Sequence, residues 1–472
     1  MVGALLWREY LSPQGAQPLV GAVASEIQDR QEWMGIYAQG EKVGYSVSHI
    51  TREADGFLVE EKASLRMNLA GMTREVKTSV DLKADSGFSL SSFRMEVTSG
   101  AVHFEMAGEM VEGGLSMEIR TAGRSQRHRI PLKEAPWLAQ NLRYLLLRSP
   151  LEVGRRFQVT LLDPLTLTCQ PMEVRVEARE SYTMEGRSFP VYRLLYSWNG
   201  LQSRAWVTEA GETLREEGFG GFALVKESRE EALSKGWAPG KGVDMMRATA
   251  VPVKTPLPSP RELSYLKIRF TQADLARFSM QDERQRVRNG EVEVRREDLS
   301  RAKTYSLPHP ETPELAEALK ATPLIQSADP GIRGQVQRIL GGEQDAKAAA
   351  ERIARWVHDE LEKVPTVSVP SAVEVLRTRQ GDCNEHAVLF AALARAAGIP
   401  TKVCAGLLYQ DGRFYYHAWN EVYLGKWYSV DTLLGQFPVD ATHVKFVEGE
   451  LESQVQLIPL IGALQAEILH YQ

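Results

Sequence analysis

Gly381-Asp382-Cys383-Asn384-Glu385-His386-Ala387-Val388-Leu389-Phe390 is the stretch on which the reading of this chain turns. Gly381 breaks the chain, and the apolar run behind it has helical spacing through Val388, Leu389, Phe390 and Leu393 until Gly398-Ile399-Pro400 stops it. Asp382 is a good N-cap, and Glu385, three residues on, can reach back to the cap's own amide in a capping box. A helix is therefore expected to start at Cys383. In its first turn, unpaired N–H groups and the positive end of the helix dipole favour a thiolate over a thiol. A lone cysteine at a helix start is more often inert packing, so the chemical reading depends on partners.

The partners lie further along. Phe414-Tyr415-Tyr416-His417-Ala418-Trp419-Asn420-Glu421-Val422-Tyr423 and Trp427-Tyr428-Ser429-Val430-Asp431 flank Gly425 and read as two strands around a tight turn. If the loop is Leu424-Gly425-Lys426, Tyr423 faces Trp427 and Asp431 falls opposite Trp419. His417 is then two positions along on the same face, a diagonal of about 7–8 Å at the backbone that a histidine and a carboxylate can span. A two-residue loop would set Asp431 opposite Asn420, and the alternation would turn His417 to the other face. Reading Cys383 as nucleophile, His417 as base and Asp431 as the carboxylate that orients it thus requires a three-residue loop. Gly425 would sit in a bulge, or an equivalent bulge would lie elsewhere in the hairpin.

The helix-start cysteine, the His-Ala-Trp strand and the Trp-x-x-x-Asp strand resemble the transglutaminase-like superfamily of cysteine enzymes. The resemblance runs over residues 306–472 and takes in Ala392-Leu393-Ala394-Arg395-Ala396-Ala397-Gly398-Ile399-Pro400 and the strand over 403–408. It implies a papain-like α+β core with Cys383, His417 and Asp431 in the roles just given. Many members follow the aspartate with Pro-Thr; here Thr432-Leu433-Leu434 follows. Such a thiolate attacks an amide or ester carbonyl, the imidazolium protonates the leaving amine, and the thioester is resolved by water or by a second amine. Water gives a protease or amidase and an amine gives a protein-glutamine transamidase. The alternative from another class is a non-catalytic peptide-binding scaffold of the cell envelope. The Cys383 N–H is the expected first oxyanion donor; the second is not assigned.

Neighbouring residues read more plainly. Trp356, on a helix over 348–361, and Trp419 could shape the cleft, though a tryptophan at such spacing is usually core. His386 reads as lying beside the site or at the surface, and His443, in Val439-Asp440-Ala441-Thr442-His443, as packing. Cys404 and Cys169 lie in alternating runs and read as buried strand residues.

Composition excludes several classes. With 56 Lys+Arg against 61 Asp+Glu, a net charge of −5 carries no electrostatic footprint for nucleic acid. Three cysteines without paired spacing support neither a disulfide framework nor a zinc site, no Gly-rich phosphate loop is present, and no cofactor or metal is expected. The expected partner is a peptide or protein substrate.

At 472 residues the chain is too long for one compact core. The expected fold is multidomain: a mainly antiparallel β domain followed by the α+β papain-like domain. Residues 1–32 read as a tether. Residues 33–230 read as β, with turns at Gly40-Glu41, Asp55-Gly56, Asp85-Ser86-Gly87, Ser99-Gly100 and Gly113-Gly114, and alternation in Val43, Tyr45, Val47 and in Val102, Phe104, Met106. One helix over 135–148 interrupts it. A Pro/Gly-rich linker occupies 231–262, a small β segment with strands at 265–270 and 291–294 bridges 263–305, and the catalytic domain fills 306–472. Residues 2–7 are apolar but too short to span a membrane. The expectation is that Met1 is an internal start, and that a longer apolar N-terminus carries the protein to the cell envelope or periplasm.

Overall fold

The computed structural model describes residues 29–100, 102–121, 124–142, 151–163, 168–198, 201–218, 221–234, 244–310, 312–366 and 369–472. The expected tether thus lies outside them up to residue 28.

The N-terminal half is a 14-stranded antiparallel sheet. Eight strands, from Arg30–Ala38 to Arg124–Pro131, run outward in chain order on one side, and six, from Arg156–Asp163 to Phe222–Glu227, run back on the other. The last closes on the first, with Trp33 opposite Glu227 and Ile36 opposite Leu224. Phe57, Leu82, Phe104 and Met106 of the first arm share one core with Phe157, Val174, Val176 and Leu194 of the second, so the sheet curls over its own buried face. All five expected turns lie between strands. A further one at Ala70-Gly71 escaped notice because only its glycine marks it; with φ of 50° and 81° the pair makes the mirror-image turn that a twisted hairpin needs.

Two expectations are corrected here. Along Glu41–Glu53 the buried positions are Val43, Gly44, Ser46, Ser48 and Ile50, while Tyr45 and Val47 face outward beside Trp33. Ile36 faces Gly44 and Tyr37 faces Lys42, so Val43 is the extra residue of a bulge that changes the inward-facing set beyond it, and the interior of this end is partly polar. Of the helix expected over 135–148, the described part is Ala139–Leu142, and 143–148 lie outside the described residues.

The C-terminal half packs the helices Pro330–Leu340, Ala346–Glu360, Ala372–Thr378 and Cys383–Ala396 in one core with a five-stranded sheet. The main path of that sheet runs Val251–Pro252, Arg413–Tyr423, Thr401–Gln410, His443–Glu448, and Trp427–Val430 also pairs with Arg413–Tyr423. The helix that begins at Cys383 is central: every side chain from Glu385 to Ala394 is buried. The proline-rich stretch before it is more ordered than its composition implied. Asp244 caps a short helix at Met245–Thr249, and Val251–Pro252 adds to the sheet edge, where a missing N–H is tolerated. Tyr265–Thr271 pairs with Glu291–Arg295 and, unforeseen, with Gln465–Tyr471. Among the described residues no helix is long and apolar enough to cross a membrane.

Candidate active site

Cys383 occupies the first position of its helix because the residues before it leave no other place for the helix to start. Asp382 accepts from the Asn384 N–H at 3.2 Å, and Glu385 accepts from the Asp382 N–H at 3.0 Å, completing the capping box. Gly381 is required by that box, since a Cβ there would lie 2.2 Å from the Cβ of Glu385. The second Asp382 oxygen accepts from the Thr366 N–H at 3.1 Å, which ties the preceding loop to the cap.

The hairpin has the three-residue loop that the chemical reading demands. Tyr423 faces Trp427, Asn420 faces Val430, and Gly425 has a φ of 79°. His417 and Asp431 therefore share a face, and His417 Nε2 lies 2.8 Å from Asp431 Oδ2. Asn420 Nδ2 donates to the Ala387 carbonyl at 3.0 Å and fastens the histidine strand to the cysteine helix. The backbone amide of Ala418, next to His417, lies where it favours the Cys383 thiolate. His417 and Asp431 are buried together, and the half-buried Cys383 lies within electrostatic reach of Asp431 and of the amide that follows His417.

Asp431 is held by four N–H groups. Besides His417, its Oδ2 meets His443 Nε2 at 3.1 Å, and its Oδ1 accepts from the amides of Leu433 and Leu434 at 2.8 and 3.1 Å. Those two amides come from positions 433 and 434, so the Thr432 N–H takes no part in holding Asp431. Burial alone would raise this carboxyl; the two histidines more than offset it and hold it well below the usual carboxylate range.

The expected activation of Cys383 by its helix start is opposed by its surroundings. Burial pushes the thiol up, and Asp382, Glu385 and Asp431 push the same way, against the Ala418 N–H. The capping box that positions the sulfur also places two carboxylates at the helix end that favours a thiolate.

His386 is buried, not at the surface. Its Nδ1 donates to the Asp382 carbonyl at 2.7 Å, its Nε2 has no protein partner, and burial lowers its pKa to about 4. Trp419 is buried with its ring stacked at 6.1 Å from that of His417, whereas Trp356 lies half-buried under the Arg379 guanidinium. Cys404 is fully buried and Cys169 half-buried in their strands. Sequence reasoning missed the buried pair Arg284 and Glu297. Arg284 donates to the carbonyls of His443 and Asp440, and Glu297 accepts from the amide and hydroxyl of Ser429, two residues before Asp431. It also read His443 as packing. No local pattern marks either: the Arg284–Glu297 pair acts across more than a hundred residues, and His443 is brought in by the pairing of His443–Glu448 with Thr401–Gln410. His417, Asp431 and His443 carry nitrogen and oxygen atoms close enough to one another for a metal ion, yet both Nε2 atoms are spent on one carboxylate oxygen, which is hydrogen bonding.

The family model of the transglutaminase-like superfamily matches residues 333–432, which hold Cys383, His417 and Asp431. Kyphoscoliosis peptidase of Mus musculus is 30% identical over 198 residues, covering 36% of this chain and 29% of that protein. Kyphoscoliosis peptidase of Homo sapiens is 37% identical over 82 residues, 16% of this chain and 12% of that protein. The chain thus spans less than a third of the curated relatives it matches. A candidate cysteine protease from Cytophaga hutchinsonii is 16% identical and covers 44% of this chain and 86% of that chain at a TM-score of 0.30. A β-barrel-like protein from Brucella abortus is 10% identical and covers 42% and 94% at a TM-score of 0.32. Structural likenesses so loose decide nothing about chemistry. The chain carries, behind its large antiparallel sheet, a domain of the transglutaminase-like superfamily.

Proposed function

We propose that this chain is a thiol-dependent acyl-transfer enzyme acting on peptide or protein amide bonds, with Cys383 as nucleophile and water as the usual acceptor. The observation that carries the reading is the single corner in which the Cys383 sulfur, the Ala418 amide and the His417–Asp431 pair at 2.8 Å meet. Because Asp431 engages Nε2, Nδ1 is the ring nitrogen left for the thiol proton. That proton passes to His417 as the sulfur attacks the carbonyl carbon. The Cys383 N–H, unpaired at the first helical position, faces the oxyanion. Collapse breaks the C–N bond, His417 returns the proton to the leaving amine, and a thioester remains. Water, giving a proton to His417, then releases the acid and restores the thiol. A peptidase among the relatives supports an amide substrate.

Intact-mass labelling with iodoacetamide across pH, on wild type, Cys383→Ala and His417→Ala, tests this. The expected result is rapid single labelling at Cys383 that slows on loss of His417, followed by cleavage in a peptide library. A Cys383 that reacts only in denaturant would make it a packed thiol and hand the site to the scaffold reading. Incorporation of a labelled amine without hydrolysis would make the enzyme a transamidase.

A further inference from the structure

His443 lies outside the family-matched span, yet its ring is in the middle of the site. It is fully buried, edge-on to His417 at 5.6 Å and to Trp419 at 5.3 Å between ring centres. Each of its nitrogens faces a carboxylate. Nε2 is 3.1 Å from Asp431 Oδ2, and Nδ1 is 3.5 Å from Asp440 Oδ1, an ion-pair distance rather than a short hydrogen bond. An ionised carboxylate can only accept, so a ring between two of them is best satisfied with a proton on both nitrogens. Both carboxylates are kept ionised by other donors: Asp431 by the Leu433 and Leu434 amides, Asp440 by the Thr442 amide and hydroxyl and by Arg261 at 2.8 Å.

We propose that His443 is a buried imidazolium that shares Asp431 with His417 and so draws off part of the charge that Asp431 would otherwise give to the catalytic histidine. The groups that face it are Asp431, Asp440 and His417, with Arg261 behind Asp440 and Arg284 on the carbonyls of Asp440 and His443. Burial opposes charge on His443 and the two carboxylates outweigh it, so its pKa lies above the ordinary 6.5. The consequence for acyl transfer is specific. Asp431 divides its charge between two rings instead of giving it whole to the histidine that exchanges protons with the thiol and the leaving amine. His443 is thus a positioning residue that acts through Asp431.

This inference rests on the proposed acyl-transfer reading, and one set of measurements separates the two. His443→Gln keeps an N–H toward Asp431 and removes the charge; Asp440→Asn removes the second carboxylate and leaves the ring. If the charge matters, both variants alkylate at Cys383 faster at pH 7, with the upper limb of the pH profile moved up by about one unit, while peptide turnover falls. A merely structural prop gives the opposite sign, slower alkylation together with slower turnover, and that result, like an unchanged profile, overturns the inference. If neither variant folds, the ring nitrogen chemical shifts of His443 in the wild type decide: two protonated nitrogens at pH 7 support it, and a neutral ring ends it. Wild-type alkylation that ignores His417→Ala would instead strike at the acyl-transfer reading itself.

Discussion

Replacing His386 by asparagine should remove most of the acid sensitivity of the C-terminal half. Asparagine places an N–H where Nδ1 now donates to the Asp382 carbonyl at 2.7 Å, and it does not titrate. In the folded protein, burial, against the Asp382 carbonyl and helped by Lys363, lowers His386 from its ordinary 6.5 to about 4. Between those values the unfolded chain binds a proton that the folded one refuses, so stability rises with pH. It is fully present above 6.5 and is lost as pH falls toward about 4. At about 1.4 kcal/mol per pH unit, that interval is worth about 3 kcal/mol, a large share of a domain's net stability. Glu450, whose carboxyl burial raises to about 7, works in the opposite direction over much of the same range, so the wild-type curve alone is not diagnostic. The difference between wild type and His386→Asn is. Urea titrations at pH 7.5 and 4.5, with a short deuterium pulse read on peptides from 383–396, follow this element apart from the N-terminal sheet. The variant should be less stable at pH 7.5 because it leaves a cavity, and the gap should shrink or reverse at pH 4.5. A gap that stays constant would mean that His386 takes up a proton in the folded state and that its burial carries no such penalty.

Other perturbations follow from the same geometry. Gly425→Ala puts a Cβ at a φ of 79° and 2.9 Å from the Lys303 Cβ, and should cost about 1–2 kcal/mol in a urea titration while lowering peptide turnover through the His417–Asp431 register. Arg284→Met leaves Glu297 buried without its cation and frees two carbonyls, an expected loss of about 3 kcal/mol, with turnover falling further than the affinity for substrate; unchanged kinetics in the folded variant would show that the pair braces nothing. Lys445 sits among Glu421, Asp282 and Glu448 at 2.6 to 2.7 Å. Lys445→Met should therefore be destabilised by about 3 kcal/mol at pH 7.5, and less at pH 5, because burial already raises the Glu421 carboxyl and a proton can replace the lost cation. Thermal unfolding at the two pH values checks the sign.

The parts of the site that were legible in the sequence were set by neighbours in the chain. The capping box at Asp382 and Glu385 and the stop at Gly398 follow from local stereochemistry, which a single sequence states directly, while the three-residue loop at Gly425 was required only by pairing His417 with Asp431. What could not be read was set by pairing between distant segments. His443 reaches Asp431 because His443–Glu448 pairs with Thr401–Gln410, and the Arg284–Glu297 brace depends on the segment before the domain folding back onto it. The surroundings of the Cys383 thiol were incompletely legible for a related reason. The helix end was weighed without the carboxylates that the same capping box, and Asp431 across the corner, bring to the sulfur. In the sheet, a single bulge reversed which residues of Glu41–Glu53 face inward, something alternation alone never discloses.

The Arg284–Glu297 brace has a consequence for the order in which the molecule is assembled. The cysteine helix and the histidine hairpin close over short stretches of chain, whereas Glu297 meets Ser429 across 132 residues and Arg284 meets the His443 carbonyl across 159. Loop-closure entropy and the slowness of distant pairings put those contacts late in folding. A half-made chain, or one partly unfolded, therefore exposes a cysteine whose aspartate is not yet fixed and whose histidine has no settled partner. On the proposed acyl-transfer reading, activity in such a scaffold arrives with the final long-range closure, which spares the nascent chain from that chemistry.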